Sequence, residues 1–234
     1  MSYAFYPELA YRAPANARAT FIRRTYAHLA GAILAFTALE IALFQTGLAK
    51  EIIEKIFFQG GGMLLLLVAF IGGGYLAQYW ARSQTSLALQ YMGLGLYVVL
   101  QAVIFLPLLY VAVHYSDSTV LPTSIILTIC LFLGLTVGVF ATGKDYSFLG
   151  PIIGIASFVA LGVIVAGLIF GFQLGLLFSF AMVALASAAI LYSTSNILYH
   201  YRTDQYVAAA LDLFAAVALL FFYILRILIQ MQRR

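Results

Sequence analysis

The sequence predicts an all-α, polytopic membrane protein with seven transmembrane helices, and three observations support this fold class. Of the 234 residues, 65% are hydrophobic and 9% are charged, which leaves too little polar surface to cover a water-soluble protein of this length. The hydrophobic residues form runs of about 20 residues, the length that a helix needs to cross a hydrocarbon layer about 30 Å thick. These runs are apolar on all sides, whereas the strands of a membrane barrel alternate between apolar and polar positions.

The apolar runs are separated by short segments that contain charged residues, glycine or proline. We predict helices at 25–45, 63–80, 87–109, 121–141, 148–170, 174–192 and 206–229. The first break contains Lys50, Glu51, Glu54 and Lys55 and ends in three glycines at 60–62. Pro107 and His114 interrupt the third run, which is therefore either one long kinked helix or a helix followed by a short outer segment.

The chain divides into a predicted cytoplasmic tail, residues 1–20, and a transmembrane domain, residues 21–234. The tail lacks the short apolar core and the small-residue cleavage site that are typical of a signal peptide. No feature of its sequence indicates a contact with the rest of the protein.

Basic residues set the orientation, because short loops rich in Lys and Arg stay on the cytoplasmic side. The arginines at 12, 18, 23 and 24 precede the first helix, and Arg82, Lys144 and Arg202 fall on the same side of a seven-helix path. We therefore predict a multi-pass protein of the inner, cytoplasmic membrane with a cytoplasmic amino terminus. If all seven segments cross, Arg226 and the two terminal arginines lie outside; a re-entrant last segment would return them to the cytoplasm.

Several function classes have no support in the sequence. The single Cys130 cannot form an internal disulfide and is predicted to be a small buried hydrophobe. The three histidines lack metal-ligand spacing, and there is neither a glycine-rich phosphate loop nor a nucleophile elbow. The net charge of +4 is not clustered as nucleic-acid binding requires. We predict no enzyme, no cofactor and no nucleic-acid partner; an intramembrane hydrolase is the weakest hypothesis.

Asp212 is the first candidate site residue, because a carboxylate within an apolar segment is costly and usually functional. The residues three and four positions away on the helix are all alanine, so this face can approach other helices closely. We expect the carboxylate to face protein near Arg82, the nearest cation at similar depth. The alternative is an acid near the helix start that reaches interfacial water and gains from the helix dipole.

Glu40 is the second acid at membrane depth, about 22 Å along the first helix and nearer its outer end. A stripe of small residues lies on roughly the opposite side, so we expect Glu40 to lie outside the close-packed seam. It is either a snorkelling or locally paired carboxylate, or part of an ion path, and we expect no direct pair with Asp212. The small-residue stripe consists of Gly31, Ala35, Ala38 and Ala42.

Hydroxyl and amide groups at 193–196 end the sixth predicted helix, beside the short turn that leads into the helix of Asp212. We expect Ser193 and Asn196 to contribute to the same site. The alternative role for these side chains is helix packing and back-bonding to carbonyl groups.

Four stretches carry a family resemblance: "FIRRTYAHLAGA" at 21–32, "KDYSFLG" at 144–150, "AILYSTSNI" at 189–197 and "AALDLFAAVALLFFYILRIL" at 209–228. In this order they resemble the transmembrane Bax inhibitor motif family. The form "ILYSTSNI" is most similar to the bacterial branch described as modulating the membrane protease FtsH. The resemblance implies a seven-helix fold with the last helix central, a cytoprotective role and, in some members, a pH-sensitive calcium leak.

In the calcium-conducting members, two aspartates share a proton and an arginine acts as a latch. The corresponding positions here are Ser193, Ala216 and Arg82, so the arginine alone is kept. Two adjacent carboxylates can share a proton and bind a hard cation, whereas a hydroxyl and a methyl group can do neither. Asp212 lies one helical turn before Ala216, on the same face, so the acid is displaced by one turn.

Two functional hypotheses follow. The first is a stress-protective regulator that contacts a membrane protease such as FtsH, or another membrane assembly, within the lipid bilayer. The alternative is a pH-sensitive leak channel for calcium ions or protons, gated near Arg82 and Asp212.

Overall fold

The computed structural model describes residues 8–57, 62–83 and 86–232, and helices dominate it. The helices are α1 Ala15–Gln45, α2 Leu48–Ile52, α3 Gly62–Ala81, α4 Leu87–His114, α5 Val120–Thr142, α6 Leu149–Phe170, α7 Leu176–Tyr199 and α8 Tyr206–Gln232. Within the described residues, all of them except α2 are long and apolar enough to cross a membrane. The predicted fold class is confirmed; Gly60 and Gly61 of the predicted first break lie outside the described residues.

Helix α8 occupies the centre of the bundle and packs against α1, α3, α4, α5 and α7. Its side chains Leu213, Leu220 and Leu225 are completely buried. A helix that is apolar all round has no polar face to turn outward, so neighbours can cover it on every side. The central position of the last helix agrees with what the family resemblance implies.

Helix α8 also crosses the whole bundle. Its 27 residues span about 40 Å at 1.5 Å per residue. At its end, the Gln232 side chain donates from Nε2 to Asp117 Oδ2 (2.6 Å) and accepts the Asp117 backbone N–H (3.2 Å). The start of α8 lies beside Arg82, at the opposite end of the bundle from Gln232. The last segment therefore crosses the bundle once and is not re-entrant. We call the end that carries Arg82, Lys144 and Arg202 the basic end.

Helix α4 is one continuous helix with Pro107 in its interior, which decides between the two alternatives for the third run. Proline removes one backbone donor from a helix, but tertiary packing holds this segment. The neighbouring side chains Phe105 and Leu106 are buried, with 1% and 0% of their surface exposed.

The charged segment after α1 separates two membrane-length helices, as predicted, and is itself helical. It forms α2 and a π-helical turn, Ile53–Phe57. The i,i+4 spacing of its charges favours this helix, although ion pairs this exposed contribute little free energy. Ala49 and Ile53 anchor the segment against Leu106. The two ion pairs are Lys50–Glu54 (3.8 Å) and Lys55–Glu51 (3.7 Å).

Cys130 is exposed on α5, so its predicted burial is wrong. Helix α5 turns one narrow face inward, and Cys130 lies on another. A small apolar side chain is as compatible with lipid as with a protein core, so its apolar surroundings in the sequence did not reveal its side of the helix. The buried side chains of α5 are Val120, Ser124, Thr128, Thr136 and Val139.

Residues 8–13 of the tail are attached to the turn between α7 and α8. The Ala10 N–H donates to the Tyr201 carbonyl (2.9 Å), and the Thr203 N–H donates to the Glu8 carbonyl (3.1 Å). Ala10 is completely buried. This part of the tail therefore braces the basic end, a tether that the sequence did not indicate.

Gly93 allows α4 to pack closely on α3. A Cβ atom at Gly93 would lie 2.4 Å from the Ala77 carbonyl oxygen and 2.6 Å from the Ala81 nitrogen, whereas a Cβ at Gly95 meets nothing within 4 Å.

We expect Gly93→Ala to lower the free energy of unfolding by about 1–3 kcal/mol, because backbone atoms must move apart. Thermal unfolding in detergent measures this effect, with Gly95→Ala as the matched control. Equal melting temperatures for the two variants would contradict the close approach of α3 and α4.

Candidate functional site

Arg82, Tyr201 and Asp212 meet at the basic end and form what we call the Asp212 cluster. Arg82 Nη2 donates to Asp212 Oδ2 at 3.0 Å. The Tyr201 hydroxyl donates to the same carboxylate oxygen. Arg82 directly follows α3, Tyr201 lies in the turn after α7, and Asp212 lies near the start of α8. The cluster therefore joins three separate segments of the chain.

Small residues make this approach possible. Ala208 and Ala209, one turn before Asp212, are buried at 1% and 0% exposure, so neighbouring elements reach the α8 backbone closely. The two charges differ in environment: the Asp212 side chain is 21% exposed and the Arg82 side chain 54%. The carboxylate thus faces protein donors, while the guanidinium retains access to solvent.

These contacts shift the pKa values of Arg82 and Tyr201, which both lie outside the helices. The Asp212 charge raises the pKa of the Arg82 guanidinium, so this side chain stays a cation. Burial raises the pKa of the Tyr201 hydroxyl well above its ordinary value, and the adjacent Asp212 carboxylate adds to this effect. Tyr201 therefore acts as a neutral hydrogen-bond donor and Arg82 as the counter-charge.

The sequence did not lead us to expect Tyr201 beside Asp212. We expected Ser193 and Asn196 to contribute to this site instead. Among the described residues, no hydrogen bond joins Asp212 to either of these side chains. The Asn196 backbone carbonyl instead accepts a hydrogen bond from the Tyr201 N–H (2.9 Å). This bond lies at the end of α7 and positions Tyr201 in the turn. The available signal was the position of Tyr201 in the turn that precedes the helix of Asp212.

Ser193 and Ala216, which the family resemblance matched to an aspartate pair, are both buried. They lie on α7 and α8, with 6% and 4% of their surface exposed. Ala216 packs in one core cluster with Ile190 of α7. The space around these two residues is therefore closed by helix packing.

A second polar cluster at the basic end, which we call the Asp145 clamp, ties the α5–α6 loop to the end of α7. Asp145 Oδ1 accepts from the Ser147 N–H (2.9 Å) and the Ser195 hydroxyl (3.1 Å), and Asp145 Oδ2 lies 3.1 Å from His200 Nε2. The Tyr146 N–H donates to the Ser195 hydroxyl oxygen (2.8 Å). These residues lie in or beside the stretches "KDYSFLG" and "AILYSTSNI", yet sequence reasoning assigned them no contact.

Gly143 completes this connection. It ends α5 with a positive φ of 57°, a conformation that glycine adopts without steric cost. Its carbonyl accepts a hydrogen bond from the Tyr199 hydroxyl of α7. The α5–α6 loop is therefore held to α7 at two points.

The Asp145 clamp predicts a pH-dependent stability. Partial burial alone would raise the pKa of the Asp145 carboxyl, but hydrogen bonds from Ser147, Ser195 and His200 outweigh burial and lower the pKa below its ordinary value. A lowered pKa stabilises the folded state above the unfolded pKa of about 3.9, and this stabilisation is lost as the pH falls through the folded-state pKa.

We expect Asp145→Asn to destabilise the protein at neutral pH by about 1 kcal/mol or less, because the carboxylate is half exposed. The difference from the parent protein should shrink below about pH 4. Thermal unfolding across this range measures it, and the exposed Glu51→Gln is the control. A pH-independent difference would refute the contribution of the Asp145 charge.

Glu40 lies on the packed face of α1, so its predicted place outside the seam is wrong. Its side chain is buried, at 6% exposure. Neither carboxylate oxygen has a hydrogen-bond partner among the described residues. Phe36 and Phe44, one turn on either side of Glu40, pack against α4. These two large side chains determine which face of α1 packs inward, and Glu40 lies on that face.

The predicted small-residue seam of α1 points outward. All four of its residues are exposed, whereas the residues on the opposite face are covered by α4 and α8. The buried residues of α1 are Phe21, Thr25, Leu29, Ala32 and Glu40.

Comparison with known proteins adds two findings. The family model described as Inhibitor of apoptosis-promoting Bax1 matches residues 18–234. The uncharacterized protein PA2604 of Pseudomonas aeruginosa is 29% identical over 197 residues, which cover 81% of this chain and 84% of that protein. The family match includes every residue of the Asp212 cluster and of the Asp145 clamp.

Proposed function

The chain belongs to the Bax inhibitor family, and from this premise we propose that it is a stress-protective membrane regulator that acts by binding another membrane protein. A membrane protease of the FtsH type is the proposed partner, and the proposed location is the inner membrane. The proposal needs a surface on which a partner helix can dock.

The observation that carries the proposal is the open surface of α6. This helix packs on α7 and touches α3. In α6, all of which the structure describes, Ala160 alone is buried. A Cβ atom at Gly154 or Gly162 would meet nothing within 4 Å. Because these two glycines are two turns apart on one helix face, a partner helix can approach the backbone there.

The basic end keeps this surface in place. The Asp145 clamp ties the loop that precedes α6 to α7, so α6 starts from a fixed point. A contact made by α6 can therefore be transmitted to α7 and α8, which pack together along their length.

The test is the degradation of a membrane substrate by a reconstituted FtsH-type protease, with and without this protein. We expect the intact protein to change the degradation rate and Gly154→Leu with Gly162→Leu to abolish the change, at an unaltered melting temperature. Gly31→Leu with Gly95→Leu, also at open glycines, should act like the parent. Equal effects of both double variants would remove α6 as the docking surface.

A pH-sensitive calcium or proton leak is the second candidate function. It is supported by the Asp212 cluster, in which one ion pair links α3 to α8. The half-exposed guanidinium could leave the carboxylate when the basic end opens. Flux measurements described in the Discussion separate this function from regulation by contact.

We further propose that the basic end lies in the cytoplasm. Arg226 lies at the other end, where the loop-charge rule does not expect a basic residue. Its guanidinium donates to the Leu174 carbonyl (2.9 Å) and so helps to hold the α6–α7 loop.

In a Cys130→Ala background, we expect an impermeant thiol reagent applied outside the cell to label a cysteine placed at 117 but not one placed at 144. Removal of Cys130, the one cysteine of the sequence, leaves the placed cysteine as the single thiol. Labelling at 144 but not at 117 would reverse the orientation.

A further inference from the structure

An open groove runs between α1 and α4 on the outer surface of the bundle. Its volume is about 550 Å³, and it extends on α1 from Ala27 to Leu39. Twelve residues at 1.5 Å each make this length about 18 Å, slightly more than half of a hydrocarbon core about 30 Å thick. The length of the groove therefore matches the thickness of one leaflet of the membrane.

The groove is open because Gly31 and Gly95 lack side chains, although the surrounding packing leaves room for a side chain at both positions. A Cβ atom at Gly31 of α1 or Gly95 of α4 would meet nothing within 4 Å, and neither residue has a positive φ. Gly93 is the contrast, since a Cβ there would collide with the α3 backbone. The missing side chains at Gly31 and Gly95 leave open volume, which an apolar chain can fill.

The end of the groove nearest the basic end is polar and ordered. His28 Nδ1 lies 2.7 Å from the Arg24 carbonyl, which can only accept, so Nδ1 carries the proton. In the neutral ring, Nε2 then accepts from the Tyr91 hydroxyl at 2.7 Å. His28 and Tyr91 both line the groove, so hydrogen-bonding groups meet its apolar floor.

Arg24 places an uncompensated positive charge at this end. Its guanidinium lies 5.5 Å from the centre of the Tyr206 ring, a cation–π contact that positions the side chain. Among the described residues, Arg24 forms no ion pair with a carboxylate. A guanidinium held in this way is suited to a phosphate group.

We propose that the groove holds one acyl chain of an anionic phospholipid, whose phosphate contacts Arg24. The apolar length matches one leaflet, and the positive charge stands at the depth of the headgroups. A phospholipid supplies both the apolar chain that fits the groove and the negative charge that Arg24 lacks.

The probes are phosphatidylglycerol and phosphatidylcholine, added to the full-length protein in detergent and measured by native mass spectrometry and thermal unfolding. We expect about fivefold tighter binding of phosphatidylglycerol, the effect of one Arg near an anionic surface. Arg24→Gln should abolish this preference while phosphatidylcholine still binds.

Gly31→Leu with Gly95→Leu fills the groove and should abolish the bound lipid at an unchanged melting temperature. Gly154→Leu with Gly162→Leu on α6 is the control and should bind phosphatidylglycerol like the parent protein. Undiminished binding by the filled-groove variant would overturn the site, and equal affinity for both lipids in the parent would overturn the selection of an anionic headgroup by Arg24. A parent dimer that the filled groove dissociates would assign the groove to a second copy of the chain.

Discussion

Arg82→Gln should destabilise the protein more than Asp212→Asn, although both changes break the same ion pair. The Asp212 side chain is 21% exposed and that of Arg82 is 54% exposed. Removal of the arginine leaves a partly buried carboxylate without its counter-charge, which is costly. Removal of the carboxylate leaves an arginine that can turn to water. We expect losses of about 2–3 kcal/mol for Arg82→Gln and about 1 kcal/mol for Asp212→Asn.

The double variant should lose less stability than the sum of the two single losses, because each single change already removes the pair. The expected interaction energy is about 0.5–3 kcal/mol. Thermal or denaturant unfolding in detergent measures the cycle, and Arg202→Gln, which breaks a local pair with Asp204, is the control for lost surface charge. Strict additivity would show that the contact of 3.0 Å contributes no coupling.

The same variants separate the two candidate functions. If the Asp212 cluster closes an ion path, Arg82→Gln should increase proton leak in vesicles in proportion to its loss of stability. If the protein is a regulator by contact, the leak should stay at the parent level, because bundle packing remains closed around Ser193 and Ala216.

The elements could be predicted from the sequence because runs of apolar residues determine which segments enter a membrane. The face that each helix turns inward was harder to predict. In an all-apolar helix, the same side chains are suited to lipid and to the protein core. The sequence therefore did not show whether Cys130 or the small-residue stripe at Gly31 faces inward or outward. For Glu40, the large side chains one turn away at Phe36 and Phe44 were the better guide.

The candidate site was predictable where local chemistry determines it. The alanines around Asp212 indicated a protein-facing acid, and Arg82 was expected as its partner because it is the nearest cation at similar depth. Tyr201 and the pair of Asp145 and His200 could not be predicted in the same way. Their contacts depend on how two turns meet in space, and the clamp joins residues 55 positions apart.

We expect the parent protein to conduct little calcium, and Ser193→Asp with Ala216→Asp to create a pH-dependent calcium flux. The parent has a hydroxyl and a methyl group at these buried positions, and neither binds a hard cation. Two aspartates on the packed helices α7 and α8 would supply carboxylate oxygens and could share a proton. This expectation rests on the resemblance to calcium-conducting members of the family.

The measurement is calcium uptake into vesicles containing purified protein, at acidic and neutral pH. Ser193→Asn with Ala216→Asn is the matched control, because it adds nearly the same volume to the core and therefore the same overpacking, a cost of about 1–3 kcal/mol. Uptake by the aspartate variant but not by the asparagine variant assigns the flux to the carboxylates. Strong uptake by the parent protein, unchanged in Asp212→Asn, would show that calcium crosses by a route that needs neither the aspartate pair nor the Asp212 cluster.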